Sequence, residues 1–170
     1  MPWRARPALA AAARELSPAE TRTLLAVGRV VLPRSLGQEK ADAIVGRFQA
    51  WLKSYREGAD RGHGYGVARL NTAPGSPAAN YPVQLAALAQ AGFEARTPED
   101  RRALLEAALR AAKVERLPER PDGAHVSSDL MAFFYRSSEA NDLCYRAEIG
   151  KDTCRGLAGS EKAPKPSAGS

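Results

Sequence analysis

The chain holds only two cysteines and two histidines, and none of the four stands near another at a metal-ligating spacing. A four-ligand zinc site would need Cys144, Cys154, His63 and His125 all to converge, without a Cys-x-x-Cys pair to start from. No apolar run approaches the ~20 residues that cross a bilayer as a helix, so no membrane span is expected. No β-branched residues alternate with polar ones over the length of a strand, which argues against a sheet. Nothing in the chain supplies a nucleophile with a base and an orienting group, and a hydrolase or transferase is the weakest functional reading. Clustered charge is also missing. Lys and Arg number 25 against 19 Asp and Glu, a formal charge of +6, yet the only adjacent basic pair is Arg101-Arg102. That interleaving describes a solvated mixed-charge surface rather than a nucleic-acid footprint, while the basic surplus favours an acidic partner surface.

What is present is helical. At 170 residues, with 44% hydrophobic and 26% charged residues, the chain suits one domain with one core. Residues 1–15 read as a flexible lead-in with an Ala tract too poor in Leu to be a complete signal peptide. Ser17-Pro18-Ala19-Glu20 is a helix start, with a Ser cap, Pro at the first helical position and Glu placed to close a capping box. Leu24, Leu25, Val27, Val30 and Val31 form its apolar face, and Pro33 ends it. From Gln38 to Glu57, Ile44, Val45, Phe48, Trp51, Leu52 and Tyr55 make a core-facing stripe. Gly58 to Pro82 is loop-like, with a turn of helix around Tyr65 to Asn71. The Gly62–Gly66 string GHGYG lacks the strand, lysine and hydroxyl residue of a phosphate loop and reads as a surface loop, with His63 exposed. Tyr81 to Ala91 is a short helix. Thr97-Pro98-Glu99-Asp100 repeats the cap-then-proline start, with Leu104, Leu105, Ala108, Leu109 and Ala112 along one face.

The stretch from His125 to Gly156 carries the densest aromatic cluster and both cysteines. Val126, Leu130, Phe133 and Phe134 fall on one helical face and predict a helix from Ser128 to Ser138, capped by Ser127, Ser128 or Asp129. Beyond it, Asn141, Asp142, Gly150, Asp152 and Gly156 predict an irregular segment bracketed by Cys144 and Cys154. Ten residues apart, these two either close a loop disulfide, worth roughly 2.5–3 kcal/mol in the chain-entropy model, or remain reduced thiols. Their shared, otherwise weakly held segment favours the bridge. Residues 157–170 have the Pro, Gly, Ser and Lys content of a disordered tail. The expected architecture is all-α, an irregular bundle of four to five helices with long loops, formed by residues 16–156.

Three segments carry a family resemblance: Leu16 to Ser35 (LSPAETRTLLAVGRVVLPRS), the following helix ADAIVGRFQAWLKSY, and the late helix HVSSDLMAFFYRSS. In order and spacing over residues 16–156 the chain resembles the subunit 3 (gamma chain) family of gluconate 2-dehydrogenase. The resemblance implies a non-catalytic small subunit of a membrane-associated FAD-dependent sugar or sugar-acid dehydrogenase, assisting folding, export or assembly of the flavoprotein. It implies that FAD sits in the large partner subunit and none is bound here, with a cytochrome c subunit as a further partner. Family members commonly begin with a twin-arginine export signal, where this chain has Arg4-Ala5-Arg6. Phe133, Phe134, Tyr135 and Tyr145 are the candidate partner contacts, set against the reading of Phe133 and Phe134 as plain core. A bridged Cys144–Cys154 pair goes with a periplasmic or membrane-associated place beside the partner. Reduced thiols and the lack of a clear signal peptide go with a cytoplasmic helical adaptor unrelated to redox enzymes.

Thiol titration of the natively purified, denatured protein separates these. The bridged form predicts no titratable thiol, and two would overturn it.

Overall fold

The computed structural model describes residues 15–59, 72–150 and 162–166. The GHGYG string with His63, the helical turn expected at Tyr65 to Asn71, residues 1–14 of the lead-in and Cys154 lie outside the described residues. Those described are all-α: six α-helices and three 3-10 turns, with no strand among them.

Helix α1 (Pro18–Val31) starts as its sequence dictates. Ser17 Oγ accepts from the Glu20 amide at 3.3 Å and Glu20 Oε2 accepts from the Ser17 amide at 2.6 Å, a closed capping box. Leu32 is the C-cap and Pro33 prevents continuation. This helix is the hub of the bundle, packing against α2 (Gly37–Ser54), α3 (Tyr81–Gln90), α4 (Pro98–Ala111) and α5 (Val126–Tyr135). It meets α2 at Gly28, where a Cβ would stand 2.6 Å from Val45 Cγ2. The close approach is possible only because glycine has no side chain to place there.

Two apolar clusters result. The larger joins Leu24 of α1, Ile44, Val45, Phe48 and Leu52 of α2, Tyr81 and Leu85 of α3, and Val126, Leu130 and Phe134 of α5. The smaller holds Ala26 and Val27 against Leu88, Phe93 and Leu105 on the other side of α1. Helix α4 is capped by Thr97, whose hydroxyl accepts from the Asp100 amide at 3.2 Å, but buries only Leu105. The expected apolar face is thus shallow: Leu104, Ala108 and Leu109 are half-buried and Ala112 is exposed. Arg101 secures this helix by donating from Nε to the Phe93 carbonyl at 3.0 Å, with its guanidinium 5.8 Å over the Phe93 ring.

The late part of the chain departs from expectation in two ways. The cap of α5 is His125, in extended backbone, with Nδ1 accepting from the Ser127 amide at 3.2 Å; Ser127, Ser128 and Asp129 lie inside the first turn and are buried. Ahead of the expected irregular segment there is a sixth helix, α6 (Ser138–Tyr145); residues 146–150 after it are irregular, and 151–156 lie outside the described residues. Ser137, extended at φ −80 and ψ 165, ends one helix and caps the next by accepting from the Ala140 amide at 3.2 Å. Only Ala140 and Leu143 of α6 pack against the core, too few to set up a legible apolar period. The helix ends at Arg146 in the left-handed region, after which Asp142 Oδ1 accepts from the Ile149 and Gly150 amides, both at 2.9 Å. Just after α6, the Glu148 amide donates to the Lys165 carbonyl at 2.7 Å and Ala147 bridges Pro166 of the C-terminal tail.

Gly28→Ala sets two known effects against each other. Helix propensity favours alanine by about 1 kcal/mol, whereas overpacking at Val45 costs about 1–3 kcal/mol. Denaturant unfolding is expected to show a net loss, and a net gain would show that the α1–α2 crossing does not depend on Gly28.

Candidate functional site

Between α4 and α5 the connector 112–125 has no regular structure, yet its end is fixed from below. Asp129, in the first turn of α5, has no exposed surface. Its Oδ1 accepts from the Asp122 amide at 3.1 Å; its Oδ2 accepts from the Gly123 amide at 2.8 Å and from the Tyr81 hydroxyl at 2.5 Å. Three donors on one carboxylate satisfy the burial requirement for a charged group. Burial pushes the Asp129 carboxyl up to about 6, with the three hydrogen bonds limiting the rise. Burial, with Asp129 alongside, holds the Tyr81 phenol far above its ordinary range. Gly123 has φ +88, and a Cβ there would stand 3.1 Å from the Pro77 carbonyl oxygen. Gln84 of α3 completes the clamp, donating to the Ala124 carbonyl at 3.0 Å and accepting from the Val126 amide at 2.8 Å. Burial lowers the pKa of His125, so the ring is neutral near neutral pH and can accept as a cap.

Clamped there, the connector forms one wall of an open groove of about 760 Å³. The floor is aromatic. Trp51 stacks on the fully buried Phe48 at 5.9 Å and 19°, Phe133 lies 5.8 Å from Trp51, and Tyr55 meets Trp51 edge-on at 5.3 Å. The rim is cationic, with Arg47 and Arg56 from the α2 side, Arg120 from the connector and Arg136 from the end of α5. Against these four stands one lining carboxylate, Glu139 of α6, held by Arg47 at 2.6 Å and lowered in pKa, the hydrogen bonds and charge of its surroundings outweighing its own desolvation. Arg136 reaches Glu119 at 3.9 Å, but that glutamate is largely exposed. Arg56 and Arg120 have no carboxylate partner among the described residues. Ser54, Ser137 and Ser138 add hydroxyls. Beyond the end of α2, the Tyr55 hydroxyl donates to the Pro74 carbonyl at 2.9 Å. Gly58 and Ala59 also pair with Ala73, through bonds of 2.8 Å each.

This arrangement can bind negative charge beside apolar surface. Its polar groups are cations, hydroxyls and a carboxylate already engaged by arginine. The strongly shifted groups, Asp129 and Tyr81, hold each other and the connector backbone, and His125, lowered by burial, caps α5; none of the three lines the groove. No group of three or more metal-ligating side chains occurs among the described residues.

The four aromatic candidates separate. Phe133 lines the groove, wedged between Phe48 and Trp51. Phe134 is 1% exposed and belongs to the core. Tyr135 and Tyr145 are 58% and 67% exposed and outside the groove lining. Cys144 is exposed on α6, and its possible partner Cys154 lies outside the described residues. Trp51 and Tyr55 were legible only as part of a core stripe. Their place at the C-terminal edge of that stripe, where apolar residues give way to Lys53, Ser54 and Arg56, is the signal that they reach the surface. The arginines gave no signal, because they come from separated parts of the chain. No family model, no curated protein and no solved structure matches the chain.

The raised carboxyl of Asp129 makes a signed prediction. A native carboxyl near 6 against an ordinary 3.8 means that the folded state binds the extra proton between these values. Its contribution to stability is therefore full below about pH 4 and is lost as pH rises through about 6, by about 3 kcal/mol. In Asp129→Asn this dependence disappears, so the variant's stability deficit is expected to grow by that amount from about pH 7 down to about pH 4. A deficit that stays constant in denaturant titrations across this range would refute the assignment.

Proposed function

We propose that the chain is the non-catalytic small subunit of a larger FAD-dependent dehydrogenase of sugars or sugar acids, assisting the folding, export or assembly of the flavoprotein. The observation that carries the reading is the groove itself. A broad trough with an aromatic floor and surplus arginine is suited to holding another chain. The order of elements supports the family resemblance. Helix α1 opens on Ser-Pro and closes at Leu-Pro, α2 follows directly, and the FFYRSS segment forms the α5–α6 corner that lines the groove.

On this reading FAD belongs to the large subunit, a cytochrome c subunit is the electron acceptor, and this chain binds neither. Its place is periplasmic or at the membrane through its partner. No helix among the described residues is long and apolar enough to cross a membrane. Affinity purification of the C-terminally tagged protein from its own host, followed by mass spectrometry and a visible spectrum, tests the reading. A co-eluting large flavoprotein with FAD absorbance is expected. A colourless eluate, holding this chain alone or a different soluble partner, overturns it in favour of the adaptor reading.

A further inference from the structure

We propose that the groove between α2, the connector and the α5–α6 corner is the docking site for an acidic, extended segment of the flavoprotein subunit that alternates carboxylates with apolar side chains. The identity of the partner rests on the function proposed above; the chemistry of the segment rests on the groove. Along α2 the trough runs from Arg47 to Ser54, about 10 Å at 1.5 Å per residue. That distance matches about three or four residues of extended chain. The apolar positions would rest on Trp51 and Phe133, which are half-buried beside Phe48. The intervening carboxylates would face Arg56 and Arg120, the two rim cations without a carboxylate among the described residues. A planar guanidinium takes a carboxylate through two parallel hydrogen bonds, which gives the contact direction as well as charge.

Other occupants fit less well. A second copy of this chain carries the same charge of +6 and would repel the rim. A single-stranded nucleic acid would bring a phosphate backbone through the trough. Here Glu139 sits inside the trough and places a carboxylate against such a backbone.

The test uses the full chain, nitrogen-labelled and assigned by NMR, with a capped hexapeptide that alternates glutamate with leucine and phenylalanine. Expected are shifts at the Trp51 indole and at Arg56, Arg120 and Phe133, which diminish as salt rises. Binding should weaken about tenfold for hexaglutamate and about tenfold in the double variant Arg56→Ser/Arg120→Ser. Absence of shifts, shifts away from the groove, or equal binding of hexaglutamate or oligothymidylate overturns the proposal. The wild-type mapping does not depend on the variant's folding.

Host affinity purification of wild type, the double variant and Arg102→Ser on α4 separates the two claims. Expected is loss of the flavoprotein from the double variant alone. A flavoprotein retained equally by all three overturns the groove and leaves the subunit reading standing. Peptide binding at the groove with no flavoprotein in any eluate overturns the subunit reading, and the groove then serves an acidic segment of another protein.

Discussion

Asp129 is a carboxylate without exposed surface that joins three parts of the chain: its own helix α5, Tyr81 at the start of α3, and the connector that ends at Gly123. Its bonds to Tyr81 and Gly123 are buried, and each of those donors would otherwise lack a partner, so the attachments depend on one another. Beyond Val114, whose amide still bonds back to the Leu109 carbonyl, the connector has no helical hydrogen bonds among the described residues. The clamp, together with the burial of Pro121, fixes where Arg120 and Pro121 stand. The cost is a charge held in a poor solvent, visible as a carboxyl raised to about 6. A well-packed apolar residue at 129 would avoid that cost but leave the Asp122 and Gly123 amides without acceptors.

The helices were legible because their ends are written locally. Ser17 with Glu20, and Thr97 with Asp100, act within one turn, and the prolines that follow each cap need no tertiary context. The stripe on α2 predicted its buried side correctly for Ile44, Val45, Phe48 and Leu52. Periodicity failed where a helix is short and lightly buried. Helix α6 has only Ala140 and Leu143 against the core, and its cap, Ser137, lies inside what reads as one continuous helix. Likewise His125 was overlooked as a cap because an imidazole acceptor depends on its protonation state, which is set by burial rather than by neighbours in sequence.

Half of the candidate site was legible. Phe133 was named together with three other aromatics, of which Phe134 turns inward and Tyr135 and Tyr145 stand apart from the groove. The cationic half was invisible, since Arg47, Arg56, Arg120 and Arg136 form no run and an interleaved charge pattern reads as ordinary surface. Only the fold places four of them around one trough while engaging its single lining carboxylate with Arg47. An even distribution of charge along a sequence therefore says little about its distribution in space.

The groove's walls come from the end of α2, the connector and the α5–α6 corner, so the unfolded chain has no counterpart of it. Anything that occupies the trough binds the native state alone and adds RT ln(1 + [L]/Kd) to its stability. An occupant present at about a hundred times its dissociation constant would contribute about 2.7 kcal/mol, comparable to the charge-burial cost at Asp129. Occupancy and folding are then one equilibrium: a destabilised chain binds less, and an unaccompanied chain is the more readily unfolded.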